Sequence, residues 1–319
     1  MAEYNSLQQS QSISKPPTAG DMFANKAFRV LTLAFTWGIV LLLAYILYKI
    51  GGKAIPAVKE YGLGLLVGTT WDVNARTFGI LPEIWGTLYS SLLALVLGGF
   101  FGVSIAIFLT QNFLPRSLET ILRSIIELLA AIPSVVYGLW GIFVLIPIIR
   151  PVADFFNTHF SWIPFFYTSL SGPGMFPAAL VLSIMILPTV AAISQDAFRA
   201  IPQKTKEAAF GMGTTRWEAI LRVMLPTAAG GIFGALVLGL GRALGETMAL
   251  AMLVGNSNQI SLSVFAPANT LAALLALNFP EAGDTEIAVL MFAACVLLLI
   301  TLLVNMLGAL IINKTGIKR

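Results

Sequence analysis

The sequence predicts an all-α membrane protein with six transmembrane helices, and three observations carry that reading. Hydrophobic residues fill 57% of the 319 positions and charged residues only 11%, against about a quarter charged in soluble domains. The apolar residues gather into six runs long enough to cross about 30 Å of hydrocarbon. The cations collect in alternate connections between those runs. With mean hydropathy at +0.87, a water-soluble fold would lack the polar surface to stay dispersed. The net charge of +4 therefore signals no affinity for nucleic acid; its distribution along the chain is what informs.

Residues 1–25 are polar, rich in Ser and Gln, and contain Pro16-Pro17. Such a segment cannot bury enough apolar surface to order itself and is expected to be a disordered cytoplasmic tail, with the membrane domain over 26–319. The first apolar run, about 28–48, is longer than the core of a cleaved signal peptide and has no clear small-x-small site, so it reads as a retained span. Further spans are expected at about 86–110, 124–149, 177–198, 228–253 and 286–312. Residues 50–85 hold the apolar piece Tyr61 to Val67 and the pair Trp71-Asp72, which suggests a short helix lying at the interface. Residues 150–176 are aromatic (Phe155, Phe156, Phe160, Trp162, Phe165, Phe166, Tyr167) and close in the turn cluster Ser171-Gly172-Pro173-Gly174. Aromatic rings favour the headgroup level, so this loop reads either as dipping into the interface or as a landing surface for a partner.

Positive charge orients the spans, because translocation disfavours Lys and Arg in short loops. Of the 19 cations, thirteen fall on one side: Lys15, Lys26, Arg29, Arg116, Arg123, five between Arg199 and Arg222, and Lys314, Lys318 and Arg319. Five (Lys49, Lys53, Lys59, Arg76, Arg150) fall on the other, and Arg242 lies within a span. Both termini and the 199–226 loop are therefore expected in the cytoplasm of a multi-pass cell-membrane protein.

That loop is patterned. Glu207-Ala208-Ala209 followed by Gly211 reads as a helix broken by a glycine. A second helix from about Thr214 carries Trp217, Ile220, Leu221 and Met224/Leu225 at helical spacing before Pro226. Two short helices joined at a glycine make a rigid knob suited to a socket on a soluble partner; the competing reading is an ordinary basic loop with a chance EAA. The spacing of Glu207, Ala208, Ala209, Gly211, Ile220, Leu225 and Pro226 resembles the EAA loop of permease subunits in ABC importers. The resemblance implies that the segment docks into a groove on an ATP-hydrolysing subunit.

The fifth span contains Arg242 and, four residues later, Glu246, a spacing that places both on one helical face. Ionised groups facing lipid cost at least about 2.5–3.5 kcal/mol each, so the two are expected to face a bundle interior or an aqueous path. They serve either as mutual helix glue or as a substrate site. In the second case Arg242 offers a planar fork of donors to an oxyanion, and Glu246 orients it or accepts a protonated substrate oxygen. In the third span, Pro133 removes a backbone hydrogen bond and kinks the helix. Ser134 can bond the freed carbonyl or line the path, and Glu127 is expected to pair with Arg123 four residues earlier.

The words around these residues narrow the resemblance. Gly241-Arg242-Ala243-Leu244-Gly245-Glu246-Thr247-Met248-Ala249 and Glu127-Leu128-Leu129-Ala130-Ala131-Ile132-Pro133-Ser134 with Tyr137-Gly138 are similar to signatures of the phosphate-importer permease family PstC, over about residues 25–312. Met248-Ala249 favours that family over its partner permease family. The resemblance implies the MetI-like, type I ABC importer fold and a phosphate path formed with a second, PstA-like permease. It also implies a cytoplasmic PstB-like ATPase dimer that binds ATP and Mg, and an extracytoplasmic PstS-like phosphate-binding protein. In that scheme Arg242, Glu246 and Ser134 line the path, while Glu207, Ala208, Ala209, Gly211, Ile220 and Pro226 couple to the ATPase. An importer for sulfate or molybdate, a secondary anion transporter and a membrane scaffold or sensor are the alternatives.

No G-x-x-x-x-G-K-[ST] loop occurs; Gly52-Lys53 is followed by Ala54. The lone His159 has no acid or second histidine at ligand spacing, and the lone Cys295 excludes an intrachain disulfide. No nucleophile–base arrangement stands out, so the chain is expected to carry no catalytic residues, no metal and no cofactor of its own.

Overall fold

The computed structural model describes residues 18–111 and 113–314; the part of the expected tail at 1–17 lies outside them. Among the described residues, six helices are long and apolar enough to cross a membrane, which agrees with the expected all-α multi-pass class. The first, α1 (Ala19–Tyr61), already begins within the expected tail. Thr18 closes its start, where its backbone N–H and hydroxyl donate to Asp21 and its oxygen accepts the Asp21 N–H. Residues 19–25 are therefore helical, not a tail.

Two compact units divide the chain at Gly52. The described part of the first is the long apolar stretch of α1 alone. The second opens with the last turns of α1, where Ala54 and Ala57 are buried and Ala57 packs with Leu65, Phe78 and Val289. The expected interfacial helix is the single turn α2 (Gly64–Val67), followed by a two-stranded hairpin, β1 (Trp71–Asp72) against β2 (Thr77–Phe78). The Asp72 carboxylate accepts the N–H groups of Asn74 and Ala75, which fixes the hairpin turn.

The core of the second unit is built by α3 (Leu81–Thr110), α7 (Met175–Arg199) and α10 (Leu225–Leu244). They approach closely because small residues face each other. A Cβ on Gly98 would stand 2.7 Å from the Ser183 carbonyl oxygen, and one on Gly239 would stand 2.8 Å from Val190. Without a hydrophobic drive between lipid-bathed helices, such backbone proximity is what maximises dispersion contact. Around them stand α4 (Arg116–Ala131), α5 (Ser134–Trp140), a π-turn over 141–145, α6 (Ile146–Phe160), α8 (Gln203–Gly211), α9 (Arg216–Ala219), a π-turn over 220–224, α11 (Met248–Leu253), α12 (Leu271–Asn278) and α13 (Asp284–Lys314).

The third span differs from the expectation at 124–149. The chain breaks at Ile132-Pro133, and the spanning helix is the run Ser134–Phe160. α4, before the break, is amphipathic: Leu118, Ile121, Leu122, Ile125, Ile126 and Leu129 recur at helical spacing between Arg116, Glu119, Arg123 and Glu127. Within it Arg123 pairs with Glu119 at 2.9 Å. The expected Arg123–Glu127 pair does not form; Glu127 is exposed.

The aromatic stretch is likewise part helix. Phe155, Phe156 and Phe160 lie on α6, and a chain of rings runs Phe156–Phe166–Phe265–Phe176 with centroids 5.0, 5.7 and 5.7 Å apart. The loop after α11 is knitted onto this end: Trp85 Nε1 donates to the Ser261 carbonyl, Tyr89 to the Leu262 carbonyl, and the Val264 N–H to the Phe165 carbonyl. Thr270 caps α12, accepting the Ala273 N–H, while Thr87 of α3 accepts the Leu271 N–H at 2.9 Å.

Candidate translocation path and coupling surface

Both proposed sites sit where a spanning helix is interrupted. At the coupling segment, α7 ends at Arg199 and Pro202 starts α8. Ala209 is buried, whereas Glu207 and Ala208 on the same helix are exposed. α8 runs through Gly211, where an added Cβ would meet nothing within 4 Å. The residue that turns the chain is Gly213, at φ +80°, a conformation that L side chains rarely adopt. The break therefore falls two residues later than the spacing predicts. Thr214 then donates to the Ala209 carbonyl at 2.8 Å, and Thr215 forms a capping box with Glu218 that starts α9.

Beneath this turn, Ile220 and Met224 are fully buried with Ala106, Phe198, Ile201, Ala209 and Ala219. The knob is thus a continuation of the hydrophobic core, held rigidly against α3 and α7. Phe113 stacks on Trp217 with ring centroids 5.2 Å apart, Phe108 meets Trp217 at 6.4 Å, and the Arg216 guanidinium lies 5.2 Å from the Phe113 ring. Glu207, Phe210, Met212 and Leu221 point outward; Met212 is 81% exposed. Pro226 stands just after the π-turn over 220–224, inside the helical run Arg216–Leu244, so its missing N–H falls where the hydrogen bonds already depart from the α pattern. Of the expected coupling residues, Glu207, Ala208, Gly211 and Pro226 are on the surface, and Ala209 and Ile220 hold the knob from inside.

At the other interruption, α10 stops at Leu244 and α11 begins at Met248. Arg242 and Glu246 are therefore not on one helical face: Gly245, the C-cap, lies between them. Glu246 turns back toward the chain, its Oε1 accepting the Ala249 N–H at 3.3 Å. Arg242 is exposed in the last turn of α10. Among the described residues, side-chain ion pairs join Arg123 to Glu119 and Arg199 to Asp196, and the Arg242–Glu246 pair of the helix-glue alternative is not made. The physical reason is the lost register: the helix that would have stacked the two side chains ends between them.

The break at Pro133 is arranged similarly. Ser134 is the first residue of α5 and half-buried. It does not bond the carbonyl freed by the proline. That task falls to Tyr137, whose hydroxyl donates to the Leu129 carbonyl at 2.8 Å across the break. The two broken spans then pack on each other. A Cβ on Gly138 would stand 2.7 Å from the Met252 sulfur, and one on Gly141 would stand 2.7 Å from Leu253. Tyr137 also packs in the same core cluster as Ala243, the residue after Arg242. The segments around Pro133 and Gly245, distant in sequence, thus meet through Tyr137, Gly138 and Gly141 on one side and Ala243, Ala249 and Leu253 on the other. Sequence reading assigned Tyr137 no role; its signal was a tyrosine four residues after a mid-membrane proline.

Residues 98–315 match the model of the binding-protein-dependent transport system inner membrane component family. The chain is 38% identical over 298 residues to the phosphate transport system permease protein PstC of Haemophilus influenzae, covering 90% of this chain and 92% of that one. It is 39% identical over 272 residues to the PstC of Mesorhizobium japonicum, covering 81% and 83%. Among solved structures it resembles a chain of a bacterial alginate ABC transporter in complex with its alginate-bound periplasmic protein, at TM-score 0.60 and 17% identity over 90% of this chain and 95% of that one. It also resembles a chain of the MetNI methionine ABC transporter in an inward-facing conformation, at TM-score 0.57 and 18% identity over 75% and 96%. At that identity the structural likenesses speak to fold alone.

Proposed function

The chain belongs to the family of binding-protein-dependent transport system inner membrane components, and from that membership we propose that it is the PstC-type permease subunit of an ATP-driven phosphate importer. The observation that carries the substrate assignment is Arg242: an exposed guanidinium without an ion pair among the described residues, in the last turn of a spanning helix. The relatives named as phosphate permeases match along most of the chain that holds it.

A cation in that position attracts an oxyanion into the path. Guanidinium does so with paired, planar donors. Glu246, bonded to the Ala249 N–H, bounds the same region with acceptor oxygens and keeps the contact weak enough for the ion to leave. Ser134 borders it from the start of α5. A second, PstA-like permease completes the wall that one chain leaves open, and a PstS-like binding protein delivers phosphate at the end carrying the aromatic loops. At the opposite end the 203–226 knob sits in a PstB-like ATPase dimer, which binds the ATP and Mg. Both termini lie on that side of a bacterial inner membrane. Because Ile220 and Met224 are continuous with the core of α3, α7 and α10, motion imposed on the knob reaches the spans without slack.

The test is phosphate uptake by vesicles holding the reconstituted four-part complex, comparing wild type with Arg242→Gln and Arg242→Lys, with sulfate as competitor. Loss of uptake in both variants, with the complex intact and sulfate inert, supports a phosphate path that needs the guanidinium. Full uptake in both sinks the assignment of Arg242.

A further inference from the structure

The apolar stretch 287–312 of α13 contains one side-chain amide, Asn305. The other polar group in that stretch with strong hydrogen-bonding capacity, Thr301, spends its hydroxyl on its own helix, donating to the Leu297 and Leu298 carbonyls at 3.0 and 2.9 Å. Asn305 has no such outlet. Its amide is exposed, and it makes no hydrogen bond among the described residues. An amide facing hydrocarbon in that state is costly, so its position calls for a polar neighbour outside the chain.

The packing of α13 shows where that neighbour lies. A Cβ on Gly308 would meet Val237 at 2.6 Å, one on Gly234 would stand 3.8 Å from Ile312, and one on Gly241 would stand 3.4 Å from Asn305 Oδ1. These contacts fix an antiparallel register in which Asn305 sits over Gly241, the residue before Arg242. The glycine leaves the room that the amide occupies. Asn305 therefore lies beside the last turn of α10, at the level where the helix gives way to Gly245 and Glu246.

We propose that Asn305 is a further path-lining residue, its amide hydrogen-bonding the transported oxyanion next to Arg242. This rests on the reading of Arg242 as the anion contact. The chemistry suits phosphate: an amide presents a donor and an acceptor without charge. Nδ2 donates to an unprotonated phosphate oxygen, and Oδ1 accepts from the P–OH that phosphate carries near neutral pH. Arg242 has donors only, so it cannot supply the second contact. A neutral group adds this without deepening the well that a second cation would create.

The test uses the assembled four-part complex in vesicles, reading phosphate moved per ATP hydrolysed, a ratio that a helix-packing role would leave unchanged. Asn305→Leu keeps the branched four-atom outline and removes the amide. It is expected to assemble, to retain binding-protein-stimulated ATP hydrolysis and to lower the ratio about tenfold, the effect of one hydrogen bond to a charged ligand. Asn305→Gln is expected to recover much of it. An unchanged ratio for Asn305→Leu, with Arg242→Gln inactive, overturns this inference and leaves the path reading intact. If Arg242→Gln also transports normally, the path reading itself falls. Should Asn305→Leu fail to assemble, Asn305→Ala is judged by the same ratio.

Discussion

The Tyr137 hydroxyl donates to the Leu129 carbonyl at 2.8 Å, spanning the break that Ile132-Pro133 makes in the third membrane segment. The bond joins two helices that are otherwise linked by extended backbone. It also leaves the ring of Tyr137, 5% exposed, packed in the main core cluster beside α11. Tyr137→Phe keeps the ring and orphans the carbonyl, so destabilisation by about 1–3 kcal/mol is expected. Thermal unfolding of the purified complex in detergent checks it; an unchanged midpoint would mean that the bond does not hold the break.

Two glycines in the coupling segment are expected to behave oppositely. Gly213, at φ +80°, resists a side chain for backbone reasons, and Gly213→Ala should cost about 1–2 kcal/mol. Gly211 is helical with open space around it, so Gly211→Ala should leave the chain as stable or gain up to about 1 kcal/mol. If α8 enters a groove on the ATPase, that same harmless methyl should weaken co-purification of the two subunits. Unaltered co-purification would mean that the partner does not approach Gly211.

Glu207 is exposed on α8 and forms no ion pair among those found in the described residues. Glu207→Lys is therefore expected to leave membrane insertion and stability within about 0.5 kcal/mol of wild type, while ATP-dependent uptake collapses. Coupled transport at the wild-type rate would remove Glu207 from the docking surface.

Gly98 meets the Ser183 carbonyl and Ile186 at 2.7 Å for an added Cβ. Backbone cannot yield as a flexible side-chain tip does, so Gly98→Val should force α3 and α7 apart. The expected cost exceeds the roughly 1–3 kcal/mol of ordinary overpacking. Limited proteolysis of membranes should show a degraded chain; a protease-resistant one at normal abundance would contradict the packing.

The class of fold was legible because lipid imposes length and apolarity on every span, and both are read directly from composition. Interruptions were less legible. A hydropathy average merges the apolar face of α4 with the start of α5, which moved the expected third span toward Arg116 and hid an amphipathic helix. Gly245 stops α10 inside a glycine-rich run, where one more glycine carries no distinctive signal, so Arg242 and Glu246 were expected to stack. The knob was visible as spacing, but its turn at Gly213 depends on a backbone angle that spacing does not encode. Asn305 changes the mean hydropathy of a long apolar run very little; only its place opposite Gly241 gives it meaning.

Among the described residues, the first unit is a single apolar helix, the part of α1 before Lys53, with no second element of its own unit to pack against. Residues such as Leu31, Phe35, Leu42 and Leu47 therefore answer to whatever surrounds that helix and not to a core within their own unit. A substitution scan across 31–47 is consequently a probe of the surroundings: tolerance of any apolar residue of any shape would identify fluid lipid, whereas intolerance confined to a helical stripe would trace the outline of a packed protein neighbour.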